Sequence, residues 1–204
     1  MAKGVITSFG YLALFLALCG PGASVQAASS TPQTAQAAHG MVVSAQHLAT
    51  EVGVQILKNG GNAVDAAVAV GYALAVVYPA AGNLGGGGFM TLRMADGRES
   101  VIDFRETAPA HASPNMYVDA QGRVIPGLST LGYLSAGVPG TVAGLELARV
   151  RYGSQTRSQV MAPAIDLAEL GFALDAGDAE MLRNATPDLA KDPTSASIFT
   201  HQGK

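Results

Sequence analysis

The stretch Gly60–Val77, GGNAVDAAVAVGYALAVV, decides how this chain is built. Two glycines end whatever precedes them, since glycine readily takes the left-handed conformation that closes a helix. Asn62 then offers a side-chain oxygen to the free N–H groups of a new helix, and Asp65 falls at its third position, close to the positive end of the dipole. From Ala63 to Val77 almost every residue is apolar, whichever face it lies on. A helix apolar all round is expected to be buried all round. A membrane span is the competing reading, but it needs roughly 20 apolar residues, and this run is shorter and begins with an aspartate. The stretch therefore predicts a central core helix whose small residues let neighbours come close.

Working outward, Pro79 stops this helix, and AAGNL (80–84) leads into four glycines, Gly85–Gly88. Phe89–Met94 alternates as a strand, Asp96-Gly97 is a hairpin turn signal, and Ser100–Phe104 is the returning strand. Residues 105–138, with Pro109, Pro114, Pro126 and several glycines, read as loop. Helices are expected over Gly140–Tyr152, over Ser158–Leu170 with Pro163 near its first turn and Gly171 at its end, and over Ala176–Asn184. Asp188–Lys204 carries no strong pattern. Upstream, Met41–Ser44 is a short β-prone run. A helix over Ala45–Asn59 should follow it, with Leu48, Val52 and Ile56 spaced four apart on one face. The sum is an α+β domain.

The first 28 residues read differently. Lys3 is a positive lead, FGYLALFLAL (9–18) is a short apolar core, Gly20-Pro21-Gly22 breaks it, and Val25-Gln26-Ala27 is a small-x-small cleavage pattern. This is the layout of a signal peptide removed after Ala27 or Ala28, so a periplasmic or secreted product with no membrane attachment after cleavage is expected. A retained anchor is the alternative. Lipidation at Cys19 is a further one, against which bulky Leu18 stands. Residues 29–38 (SSTPQTAQAA) form a flexible lead-in, leaving 39–204 as the folded domain. Of the whole chain, 49% is hydrophobic and 13% charged, with 25 glycines and a net charge of −3. Soluble domains ordinarily carry about 25% charged residues. No basic cluster supports nucleic-acid binding. Cys19 is the single cysteine and the four histidines are scattered, so neither a disulfide nor a metal site is expected.

Two features invite a chemical reading. Four successive glycines have high backbone entropy and need a reason. A phosphate loop would continue with Lys-Ser/Thr and a helix, whereas Phe89 and Met90 follow on a strand. A dinucleotide fingerprint would have the strand before and the helix after. Tight packing against the all-apolar helix remains, beside a loop whose N–H groups face a substrate. The second feature is DFRETAP (103–109). Arg105 sits just past a strand end, where its rigid fork of donors would suit a substrate carboxylate. Spacing alone favours an internal ion pair with Asp103 or Glu106. Asp65, Asp103 and Glu106 could each act as a base, but no Gly-x-Ser-x-Gly or other nucleophile–base set accompanies them.

Several segments in order carry a resemblance: HGMV (39–42) with its helix, GGNAVDAA (60–67), GNLGGGGF (82–89), DFRETAPA (103–110) and GVPGTV (137–142). Together they closely resemble the γ-glutamyltransferase (glutathione hydrolase) family over about Ala38–Phe199. The resemblance implies the N-terminal portion of an Ntn-hydrolase αββα sandwich, incomplete in this chain. It implies a precursor that cuts itself into a large and a small subunit, and the new N-terminal threonine of the small subunit as nucleophile. That threonine would attack the γ-glutamyl amide of glutathione, with its own α-amine, of pKa about 8, as base. Water or an amino acid would then take the acyl group. Arg105 matches the arginine that holds the substrate α-carboxylate, and Glu106 is a possible support. No cofactor or metal is implied. The catalytic threonine and the serine and glycine contacts of the site fall beyond Lys204 in the family, so no catalytic residue is expected within this chain. A related acylase of the same fold, of cephalosporin or poly-γ-glutamate type, and a non-catalytic remnant are the alternatives.

Overall fold

The computed structural model describes residues 34–200. The expected signal peptide and Cys19 lie outside the described residues. The compact unit that begins at Ala37 contains helices α1 (His47–Lys58), α2 (Ala63–Val77), α3 (Thr141–Tyr152), α4 (Arg157–Leu170), α5 (Ala176–Leu189) and α6 (Pro193–Phe199). Strands β1 (Phe89–Arg93) and β2 (Glu99–Asp103) form an antiparallel hairpin, and a 3-10 turn spans Tyr133–Ser135.

The opening stretch folds as its residues dictate. Asn62 Oδ1 accepts from the N–H groups of Val64 and Asp65, and Asp65 Oδ2 accepts from the Asn62 N–H at 2.9 Å, a reciprocal capping box. Helix α2 packs against α1, α3 and α4 and contributes Val64, Ala66, Val68, Ala69, Tyr72, Ala73 and Val77 to the core. The expectation that it is buried on every side needs correcting. Ala63 and Ala67 are exposed, because the hairpin stands off from that face and leaves a trough of about 450 Å³. No helix among the described residues is long and apolar enough to cross a membrane.

Helix α1 starts two residues later than expected because Gln46 caps it, its Oε1 accepting from the Leu48 N–H at 2.6 Å. Val52 and Ile56 are buried, with Leu48 packed beside them. A Cβ on Gly53 would fall 2.7 Å from methyls of both Val42 and Val70, so glycine sets the close approach of α1 to α2. The β-prone run Met41–Ser44 is not a strand. No neighbouring strand offers it a ladder among the described residues, so Val42 packs into the core while Val43 stays 82% exposed.

In the hairpin, Met90 pairs with Ile102 and Leu92 with Ser100 on the inner face, and Phe89 pairs with Asp103 and Thr91 with Val101 on the outer. Strand β2 ends one residue before the expected Phe104, although the Phe104 N–H still donates to Gly88 O at 3.0 Å. The inner apolar residues and Phe104 join the helical core. The outer face is open, with Phe89 61% and Val101 66% exposed. Three further differences lie in the second half. Pro163 is the seventh residue of α4, past the first turn where a missing N–H is harmless. Helix α5 runs on to Leu189 through Pro187. The tail without pattern contains α6, which Asp192 caps and Pro193 opens, a start signal present in the sequence.

Candidate substrate-binding site

Past β2 the chain runs between two glycine-bearing segments. On one side Gly88 pairs with Phe104, and a Cβ on Gly87 would fall 2.6 Å from Phe104 O and 2.7 Å from a Glu106 carboxylate oxygen. On the other side Thr107 and Val138 form a two-way bridge, at 3.2 and 2.8 Å. Added Cβ atoms at Gly140 and Gly144 would run into the Phe104 carbonyl and ring. Gly87 and Gly88 are thus packing positions, but their partner is the strand end and not α2. Gly82, upstream of the run, does lie hard against α2, at the Leu74 carbonyl.

Arg105 emerges from this vice with an exposed side chain on the wall of a concavity of about 600 Å³, shared with Glu106, Thr107, Tyr117, Ser135 and Gly137. The ion pair with Asp103 or Glu106 that spacing favours does not form. Asp103 Oδ1 accepts instead from the backbone N–H of Arg105 at 3.0 Å, and no ion pair among the described residues includes the Arg105 guanidinium. An arginine free of carboxylates, backed by rigid chain and facing a hollow, can take a planar anion in two hydrogen bonds. Glu106 is exposed beside it.

Of the three carboxylates weighed as bases, Asp65 is committed elsewhere. It is fully buried and accepts from the Ser154 hydroxyl (2.7 Å), the Asn62 N–H (2.9 Å), the Ser154 N–H (3.0 Å) and the Gln155 N–H (3.1 Å). Burial alone pushes its pKa up, but these donors together outweigh it and hold the carboxyl below its ordinary value. An ionised group encircled by donors is a clasp and no base. Asp103 lies on the open face of the hairpin.

Sequence reasoning passed over a second charged cluster. Glu146 takes two bonds from Arg149, at 2.7 and 2.9 Å, and one from Arg157 at 2.7 Å, and these donors hold its pKa down at about 2. The i,i+3 spacing of Glu146 and Arg149 was its visible signal. The cluster edges an apolar trough of about 510 Å³ between α2, α3 and α4. Its charges already satisfy one another, so among the described residues the trough offers no unpaired charge of the kind that the Arg105 concavity has.

The hairpin is thus backed by helices on its inner face and open on its outer one, with Arg105 at its exit. The fold is similar to that of the crystal structure of Helicobacter pylori gamma-glutamyltranspeptidase, with a TM-score of 0.81 and 48% identity over 84% of this chain and 49% of that one. The fold is thus a portion of an Ntn-hydrolase sandwich. A family model described as Gamma-glutamyltranspeptidase matches residues 49–204, and the chain belongs to that family. It is 59% identical over 182 residues to a glutathione hydrolase proenzyme of Pseudomonas sp. (strain A14), covering 89% of this chain and 31% of the relative. To the glutathione hydrolase proenzyme of Escherichia coli (strain K12) it is 49% identical over 170 residues, 83% of this chain and 29% of the relative. The chain therefore spans about a third of the length of these curated relatives.

Proposed function

We propose that this chain is the front part of the large subunit of an exported γ-glutamyltransferase precursor, and that it supplies the wall that binds the donor's α-carboxylate. The observation that carries this reading is the Arg105 guanidinium, unpaired with any carboxylate among the described residues and exposed in a concavity. The reaction follows the family's chemistry. The N-terminal threonine of the small subunit, freed by self-cleavage outside this chain, gives its hydroxyl proton to its own α-amine and attacks the γ-glutamyl amide of glutathione. The amide bond breaks, the proton passes to the departing amine, and the glutamyl group is held as an ester. Water or the amino group of an amino acid or peptide then takes it. Arg105 fixes the substrate end remote from this chemistry, so it sets where the amide carbonyl sits relative to the nucleophile. Glu106, beside it, supports the site. The high identity to glutathione hydrolase proenzymes favours this reading over an acylase of the same fold.

Arg105→Ala in the complete precursor is the direct test. A charged hydrogen bond is worth about 1.5–3 kcal/mol, so KM for glutathione should rise about 10- to 100-fold. An unchanged KM removes Arg105 from the site. Export is a separate element of the proposal. Sequencing the N-terminus of the mature protein should show it beginning just after Ala27 or Ala28, and a product that keeps Met1 or Lys3 refutes cleavage there.

A further inference from the structure

We propose that Asn83 and Thr141 are positioning residues for Arg105, acting through a clamp that ties the glycine run to the start of α3. The inference rests on the reading of Arg105 as the carboxylate binder. Helix α3 begins at Thr141 with Gly140 as its cap, and no side chain caps it. Its free N–H groups are met from a distant part of the chain. The carbonyl of Gly86 accepts from the Gly140 N–H at 2.8 Å and from the Thr141 N–H at 3.0 Å. The carbonyl is held by Asn83, whose Oδ1 accepts from the Gly86 N–H at 2.8 Å and from the Thr141 hydroxyl at 2.7 Å. Thr141 is buried, and this bond spans 58 residues of sequence.

The clamp closes on the segment that carries Arg105. Gly87 and Gly88 lie against Phe104 and Glu106 from one side, and Gly137, Gly140 and Gly144 lie against the same segment from the other. With no Cβ atoms in between, the two walls meet the backbone of Phe104–Glu106 directly. Their separation is set by the Asn83–Thr141 bond and the Gly86 carbonyl. A shift of either wall moves the Arg105 backbone with it. A guanidinium reading a planar carboxylate with two bonds tolerates little displacement, and a misplacement of about 1 Å in a binding group can cost about 100-fold.

The experiment uses the complete, self-cleaved enzyme with a γ-glutamyl donor, and beside it a donor analogue that lacks the α-carboxylate. Thr141→Val keeps shape and removes the hydroxyl, and Asn83→Ala removes the shared acceptor. Each is expected to raise KM for the γ-glutamyl donor about 5- to 10-fold, the loss of roughly one hydrogen bond, with kcat changed less than about twofold. Thr141→Ser keeps the donor and should remain within about twofold of wild type, so it serves as the readout if a harsher variant fails to fold. The donor without the carboxylate should be turned over alike by all variants. Thr141→Val should add nothing to the KM of Arg105→Ala, because the two act on one contact. A KM unmoved by Thr141→Val while Arg105→Ala raises it overturns the clamp alone. Equal loss on both donors, or effects that add to those of Arg105→Ala, also overturns it. An unmoved KM in Arg105→Ala overturns the parent reading instead.

Discussion

Arg105 shows how one side chain separates a substrate role from a structural one. Two acidic neighbours in sequence could neutralise it, yet Asp103 is engaged by backbone N–H and Glu106 leans over Gly87. What remains is a delocalised cation with its donors turned to a hollow. The shape of that cation matters as much as its charge. Arg105→Lys keeps the charge but replaces a planar fork by a point, so only one of two bonds to a carboxylate can be regained. Its KM for glutathione should lie between wild type and Arg105→Ala, several-fold above the former, when all three are measured side by side in the complete enzyme. Full recovery by lysine would mean that Arg105 contributes only a long-range field.

Between elements, Asp65 does for the helices what the Asn83–Thr141 bond does for the strand end. It joins the first turn of α2 to Ser154 and Gln155 in the α3–α4 connection, while the Asn62 amide donates to Tyr152 O at 2.7 Å. Asp65→Asn replaces one acceptor oxygen by a donor facing donors, and is expected to cost about 3 kcal/mol in denaturant titration of the complete precursor. The folded-state pKa is depressed, so the clasp stabilises fully above the unfolded value of about 3.9 and is lost as pH falls through the folded one. The gap between wild type and Asp65→Asn should accordingly be constant from neutrality to about pH 5 and narrow below about pH 4. A gap that does not change with pH would assign the loss to packing instead. The cap, the core helix and the hairpin were legible because each is written in adjacent residues. The clasp was only half legible: Asp65 announced its role at the helix start, but its partners lie 89 and 90 residues away. A separation of 58 residues likewise hid Thr141 from Asn83, and Gly87 and Gly88 were assigned the wrong partner because the sequence neighbour α2 was the nearest apolar surface in view. Arg105 could be placed at a strand end, but that it pairs with neither Asp103 nor Glu106 is a fact of three-dimensional arrangement.

At the scale of the molecule, the hairpin is covered by helices on one face and open on the other. Two strands with one helical backing ordinarily turn polar residues outward. Here Phe89 and Val101 stand on the outer face, and the chain covers about a third of its curated relatives. A second layer of sheet contributed by the rest of the precursor would bury that face, as an αββα sandwich requires. Residues 37–204 produced alone should consequently self-associate through the hairpin, since an open strand edge beside an exposed apolar face favours pairing with a copy. Light scattering should report assemblies that Phe89→Ser with Val101→Thr substantially reduces, while the helical circular dichroism is kept. In the complete precursor the same pair of substitutions should destabilise the fold, because there the two side chains are covered. If the isolated segment is monomeric, or if the pair destabilises neither form, the outer face is a true surface and the second layer does not rest on it.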